Sequence, residues 1–310
     1  MKFKLIYGNH PKYGIGVLDT LNLLKHGLEE IGHQAHLEKN ICPGYVNILI
    51  EYFTFDLLDW YLTALQTPGT KFIIIATEHV TGNKFNQFDE DIVDKQWLPH
   101  FSHYDNLSYW DKRFKTFTQA CADADAIWHL SEHQVESYRT LLPGKRVEYF
   151  PHAYVQSLEN FNNYEEREKD IDILFTGSST PYRMEVLHQL HEKGLKICLL
   201  PAITPNYIRN SLIQRSKIAL SIKQNTQWKY PSNSRYFYHI MNGPLLVGQK
   251  CAFTCDISPY VIEEEDEAFV QTITDLIMDQ KCNELALSNL NRFRNTTPLK
   301  DTLSQLLDVL

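Results

Sequence analysis

Two short segments of this chain gather residue types that can hold an anion. Gly177-Ser178-Ser179-Thr180 follows the apolar run ILF and precedes a helical pattern with Arg183 near its start. Lys223, Lys229 and Arg235 flank a second loop, where Ser232, Asn233 and Ser234 open the next helical pattern. Glycine allows close backbone approach, and hydroxyls donate to phosphate or sugar oxygens. A helix start adds N–H groups and a positive dipole end, and arginine adds a charge-assisted, bidentate contact. Taken alone, each loop reads better as a capped turn. Two of them in one parallel sheet make a crevice suited to the phosphates of an activated substrate.

The first half supplies candidates of another kind. Thr77-Glu78-His79 follows the strand-like run FIIIA. Carboxyl ends of parallel strands face the ligand crevice, so Glu78 is placed to act as base or nucleophile, with His79 beside it. A cap or salt-bridged glutamate is the competing reading. Tyr13, Gly14 and Gly16, in HPKYGIG, join the first strand to its helix and read as a loop approaching sugar or phosphate. The third glycine of a dinucleotide fingerprint is replaced by Asp19, so a dehydrogenase is the weaker reading. His152, in FPHAY at the join of the halves, suits a phosphate or sugar contact. Of the histidines, only His129 and His133 form a local pair, and they span a strand end and a helix start. No metal site is expected.

These loops need a scaffold, and the chain alternates strand and helix patterns throughout. Strands are expected at 3–7, 34–37, 46–50, 72–76, 126–130 and 147–150, then at 172–175, 195–200, 218–222, 244–247 and 268–270. Apolar residues from Val17 to Ile31 recur every three or four positions, predicting a helix that Gly32 stops. Ser131 to Gln134 reads as a capping box, and Thr204-Pro205 as an N-cap and N1 pair. Such alternation implies α/β architecture with right-handed crossovers. The expected division is 1–155, 156–297 and a terminal helix at 298–310, with an insertion at 81–117 that is too long for a plain connection.

At 310 residues, 43% apolar and 22% charged, the chain can bury a large core. A net charge of −8 argues against general nucleic-acid binding, and nucleic acid is not expected as a partner. The six cysteines show no CxxC pair and read as buried thiols of a reducing compartment. No apolar run reaches the roughly 18–20 residues of a membrane span. A cytoplasmic protein is expected, with peripheral membrane contact left open.

The opening YGNHPKYGIGVLDTLNLLKHGLEEIGHQAHL, the strand and loop ILFTGSSTPYR, and SKIALSIKQ…PSNSRYFYHIMNGPLLVG together resemble the GT-B glycosyltransferases, above all family-4-like and CgeB-like members. That resemblance implies two Rossmann-like domains facing a cleft, with the terminal helix packing back on the first. It implies a metal-independent transferase that takes a sugar from a nucleotide-activated donor to a glycan or other acceptor, in surface-glycan synthesis or protein glycosylation, with no cofactor beyond the donor. The donor would lie in the second half and the acceptor in the first. The family's ribose-holding glutamate falls on Tyr238, five residues before Gly243, which leaves CMP-activated acidic sugars of the Kdo type open as donors. A sugar-nucleotide epimerase and a non-catalytic binding protein of the same architecture are the alternatives.

Overall fold

The structure is a computed structural model that describes residues 1–51, 53–85, 107–160, 168–201, 204–226, 228–308 and 310. Most of the insertion expected at 81–117 lies outside the described residues. Chain contacts divide the protein into two compact units, Met1–Pro151 with Lys300–Leu310, and His152–Leu299.

The first unit is built on six parallel strands: β1 (Lys2–Ile6), β2 (Gln34–Glu38), β3 (Val46–Ile50), β4 (Lys71–Ala76), β7 (Ala126–His129) and β8 (Val147–Tyr149). Their order is β2-β1-β3-β4-β7-β8. A small antiparallel hairpin, β5 (Val80–Thr81) with β6 (Lys84–Phe85), follows β4. The central strands are apolar at nearly every position because helices cover both faces of a parallel sheet. The helices are α1 (Leu18–Glu30), α2 (Phe55–Ala64), α3 (Leu107–Asp123), α4 (Val135–Leu141) and, from the chain's end, α10 (Leu299–Leu307). On one face Phe72, Ile74 and Ile127 bury against Tyr61, Phe117, Cys121 and Tyr138. The Tyr61 hydroxyl donates to the Ala120 carbonyl at 2.9 Å and so ties α2 to α3.

The second unit has five parallel strands: β9 (Ile171–Thr176), β10 (Ile197–Leu200), β11 (Ser216–Ser221), β12 (Leu245–Gln249) and β13 (Ile262–Glu264). Their order is β10-β9-β11-β12-β13. Around them run α5 (Pro181–Glu192), α6 (Asn206–Gln214), α7 (Asn233–Ile240), α8 (Phe269–Met278) and α9 (Cys282–Thr296). Phe175, Leu220 and Val247 pack against Leu187, Phe269 and Ile273 on one face. Leu174 meets Ile213 of α6 on the other.

Three local expectations are corrected. Residues 268–270 are not a strand: Ala268 caps α8, whose buried Phe269 and Ile273 are one helical turn apart. The edge position goes to Ile262–Glu264, half-buried and charged as an edge strand tolerates. Ser131 makes no side-chain cap: the Gln134 N–H goes to the Ser131 carbonyl at 3.1 Å, and the Gln134 side chain accepts the Val80 N–H at 2.7 Å. Pro205, not Thr204, is the residue before α6, and the Thr204 hydroxyl donates to the Pro201 carbonyl.

In both main sheets the strand order reverses beside the first strand, between β1 and β3 and between β9 and β11. Ligand sites of open parallel sheets form outside the carboxyl ends at that reversal. The fold therefore sends the chain ends of β9 and β11, and of β1 and β3, to the places where chemistry is expected. Leu220, central in β11 and fully buried, tests the second core. Leu220→Ala should cost about 2–5 kcal/mol, read as an earlier urea midpoint for the second unit.

Candidate active site

At the β9/β11 reversal, a buried arginine joins two loops. Arg183, only 4% exposed, donates from Nε to the carbonyls of Ile222 (3.0 Å) and Lys223 (3.1 Å), and from Nη1 to that of Ser178 (3.1 Å). Thr180 reinforces the junction. Its Oγ1 accepts the Arg183 N–H as the N-cap of α5 and donates to the Gln224 carbonyl at 2.9 Å. Arg183 was expected to grip phosphate; two of its nitrogens, Nε and Nη1, hold backbone carbonyls of the two loops. Burial and the nearby Arg235 both pull its pKa down from the ordinary arginine value.

Arg235 is the half-buried counterpart. It lies in the first turn of α7 and crosses Gly177, whose missing Cβ would sit 2.7 Å from Nη2. Gly177 has φ +141°, a conformation side chains rarely adopt, so glycine serves twice here. The Arg235 guanidinium lies 5.7 Å from the Phe175 ring centre. Its Nε is buried without a hydrogen-bond partner, and it forms no ion pair with any described residue. A half-buried guanidinium with no counter-charge among the described residues is electrostatically suited to an anion.

The other second-half candidates divide. Ser178 is half-buried at the loop and Ser179 is exposed. Ser232, Asn233 and Ser234 are half-buried at the start of α7, where Ser232 makes no side-chain cap. Lys223 is committed elsewhere: its Nζ pairs with Asp266 at 2.8 Å, and its N–H goes to Gln249. Lys229 is exposed. Tyr238 shares a hydrogen bond with Thr176 at the β9 end, and Arg209 of α6 stacks 3.9 Å from its ring centre. His239, wholly buried behind them, is held well below its ordinary pKa by burial and then by Arg235 and Arg209. His152 is buried beside Phe237, with neither ring nitrogen hydrogen-bonded, and burial pushes its pKa down to about 4. Arg209, Thr176 and His239 were not anticipated. Only Thr176, a hydroxyl beside the glycine loop, left a trace in the sequence.

At the β1/β3 reversal the side chains are acidic and aromatic. Asn9 Nδ2 donates to the Ile50 carbonyl at 2.8 Å, and His10 Nε2 lies 3.1 Å from the same oxygen. The carboxyl group of Glu51, the residue after β3, is buried. Its Oε2 accepts the N–H groups of Thr77 (2.8 Å) and Glu78 (3.2 Å), and its Oε1 has no partner. Glu78, partly exposed, pairs with Arg113 of α3 at 2.8 Å. The Glu78 carbonyl receives the Tyr138 hydroxyl at 2.7 Å. The Ser131 N–H donates to His129 Nδ1, leaving Nε2 as that ring's N–H, 3.2 Å from the same carbonyl. Burial keeps His129 neutral, with its pKa near 3.

Glu78 is thus held by its backbone from three sides while its carboxylate points to a cation. His79, next in the chain, is mostly buried, and burial lowers its pKa. Gly14, buried with φ +72°, lies against Tyr7. Gly16 is exposed with open space around it, so nothing local requires a glycine there. Tyr13 lies in the 3-10 turn Pro11–Val17. Glu51 had a sequence signal equal to that of Glu78, a carboxylate closing an apolar strand. Arg113 had none, being one cation among several on an amphipathic helix. Among the described residues no three His, Cys, Asp or Glu side chains converge as a metal site, and no helix is long and apolar enough to cross a membrane.

No family model matches this sequence, and no curated protein does. Solved structures match along the whole chain. An alpha-glucosyltransferase in complex with UDP and a 13-mer DNA containing an HMU base is similar at 11% identity, covering 100% of this chain and 99% of that one, with a TM-score of 0.63. The DNA-modifying beta-glucosyltransferase, solved with and without its substrate uridine diphosphoglucose, is similar at 11% identity over 99% of this chain and 100% of its own, at 0.56. AviGT4, a glycosyltransferase of avilamycin A biosynthesis, is 13% identical over 100% of this chain and 96% of its own, at 0.54. The architecture is the GT-B fold, with two Rossmann-like parallel sheets. The expectation that nucleic acid plays no part gains no support, since two of these three structures concern DNA.

The two arginines of the second unit separate by experiment. Arg183→Ala strands three buried or part-buried carbonyls and should cost at least about 2 kcal/mol in urea unfolding. Arg235→Ala should melt near the parent and lose roughly 1.5–3 kcal/mol of affinity for pyrophosphate, a plain anion probe, by calorimetry. Equal loss of stability in both variants would contradict these roles.

Proposed function

We propose that this chain is a glycosyltransferase that takes a sugar from a nucleoside-diphosphate donor. The observation that carries the reading is Arg235, a guanidinium without a described counter-charge, lying across Gly177 at the strand-order reversal. The fold likeness supports it, because the similar structures are those of glycosyltransferases, two of them described with UDP or UDP-glucose. Ser178 and the α7 start supply further donors beside Arg235, and His152 and Tyr238 complete the donor side. Arg235 and the helix start take up the charge of the departing diphosphate, so no metal is required.

Glu78 is the carboxylate proposed for the chemical step. The bond from the anomeric carbon to the phosphate oxygen breaks, and the diphosphate keeps the electron pair. The acceptor oxygen bonds to that carbon and passes its proton to Glu78. A glycan or small-molecule hydroxyl is the favoured acceptor, since the net charge of −8 opposes duplex DNA. The fold likeness to DNA-modifying enzymes makes DNA the second reading. A gel shift with HMU-containing duplex at low salt separates them: retardation favours DNA, and its absence the glycan.

Glu78→Gln should bind UDP as the parent does, melt near it, and turn over donor at least about a hundredfold more slowly. Unchanged turnover would move Glu78 to a structural role. Turnover should also survive EDTA. Complete loss on chelation, restored by Mg²⁺ or Mn²⁺, would refute the metal-free reading.

A further inference from the structure

The Glu51 carboxyl is an unusual expenditure for a stable core. It is 1% exposed at the carboxyl end of β3, and no described cation pairs with it. The neighbouring guanidinium, Arg113, is engaged by Glu78 at 2.8 Å. An ionised carboxylate buried without its own counter-charge is strongly disfavoured. A plain amide or hydroxyl would satisfy two backbone N–H groups at lower cost. The geometry instead matches a neutral carboxylic acid. Oε2 accepts two N–H groups and is the carbonyl-type oxygen, while the partnerless Oε1 is the one left for the hydroxyl.

We propose that Glu51 is a positioning residue for Glu78. One carboxyl oxygen fixes the Thr77–Glu78 backbone, and the proton on the other keeps Glu51 from drawing Arg113 away from the Glu78 carboxylate. This rests on the reading of Glu78 as the reacting group.

The groups facing Glu51 are consistent with it. Glu78 stands at the β4 end, Arg113 and Cys121 on α3, and Tyr138 on α4. His10, His79 and His129 surround Glu78. Burial, and then the charge of Glu78, push Glu51 up to about 8, and Arg113 offsets this only in part. Burial holds Cys121 and Tyr138 neutral, and the three histidines are lowered mainly by burial. Glu51 is therefore the member of the cluster that gains charge as pH rises through neutrality. A carboxyl raised in the folded state stabilises it fully below its ordinary value of 4.5, and that contribution is lost as pH rises to about 8. Once ionised, Glu51 competes with Glu78 for Arg113.

The test compares E51Q, E51A and E78Q with the parent. Gln keeps an acceptor for both amides and cannot ionise, whereas Ala removes the acceptor. Amide exchange at Thr77 and Glu78 should be slow in the parent and E51Q and fast in E51A. The stability of E51Q relative to the parent should grow as pH rises towards 8 and then level off. With UDP-glucose as probe donor, E51A should lose roughly a hundredfold in kcat at unchanged KM, the scale of a small misplacement of a reacting group. E51Q should recover most of that loss and lack the parent's alkaline fall in rate. Parental amide exchange in E51A overturns the proposal whatever the donor. So does an alkaline limb that persists in E51Q. E78Q inactive with E51A at parental turnover removes the role of Glu51 and leaves Glu78 standing. E78Q at parental turnover removes both.

Discussion

Parallel strands that stop at a strand-order reversal leave backbone groups with no partner in the ladder, and in this protein buried ionisable side chains satisfy them. Arg183 supplies donors to three carbonyls around β9 and β11, and Glu51 supplies an acceptor to two N–H groups beyond β4. Each is a long polar side chain almost fully removed from water. Buried backbone groups are costly to leave without hydrogen bonds, and these side chains supply the partners. The loops that carry Gly177 and Glu78 are held in place by these contacts rather than by their own turn chemistry.

The same economy separates holding from reacting. Arg183 is spent on carbonyls, which leaves Arg235 to present a charge across Gly177. Glu51 is spent on amides, which leaves the Glu78 carboxylate to face Arg113. Lys223 follows the first pattern, bound to Asp266 and Gln249. In each unit the group bonded to backbone lies deeper, and the group proposed to meet substrate lies nearer solvent. Positioning of this kind lets a site act without reorganising when charge develops.

Tyr238 and its surroundings distinguish the second unit's loop cluster. Its hydroxyl is bonded to Thr176, and its ring carries the Arg209 guanidinium. The position where the GT-B resemblance would place a ribose-binding carboxylate holds a tyrosine that already has partners. With Arg235 and Arg209 both close to buried His239, the electrostatics of this corner are cationic. That suits an anionic ligand and adds no negative group of its own.

Periodicity and strand ends were open to reading without coordinates, because they depend on local geometry. The apolar runs became the strands of two parallel sheets, and Gly177, Arg235 and Glu78 all stand at strand or helix ends where pattern alone located them. The one misplaced strand, at 268–270, was a short apolar run that periodicity cannot assign to helix or sheet. What tertiary structure decided was the use of each charge. Arg183 and Arg235 look alike in sequence, both near helix starts after small-residue loops, and Glu51 and Glu78 both close apolar strands. Only the long-range meeting of loops showed which charge is consumed by backbone and which remains for a ligand. Arg113 and Arg209 reach their places from helices far along the chain. A side chain's partners across the fold determine its charge state and its reach, and those partners have no fixed spacing in sequence.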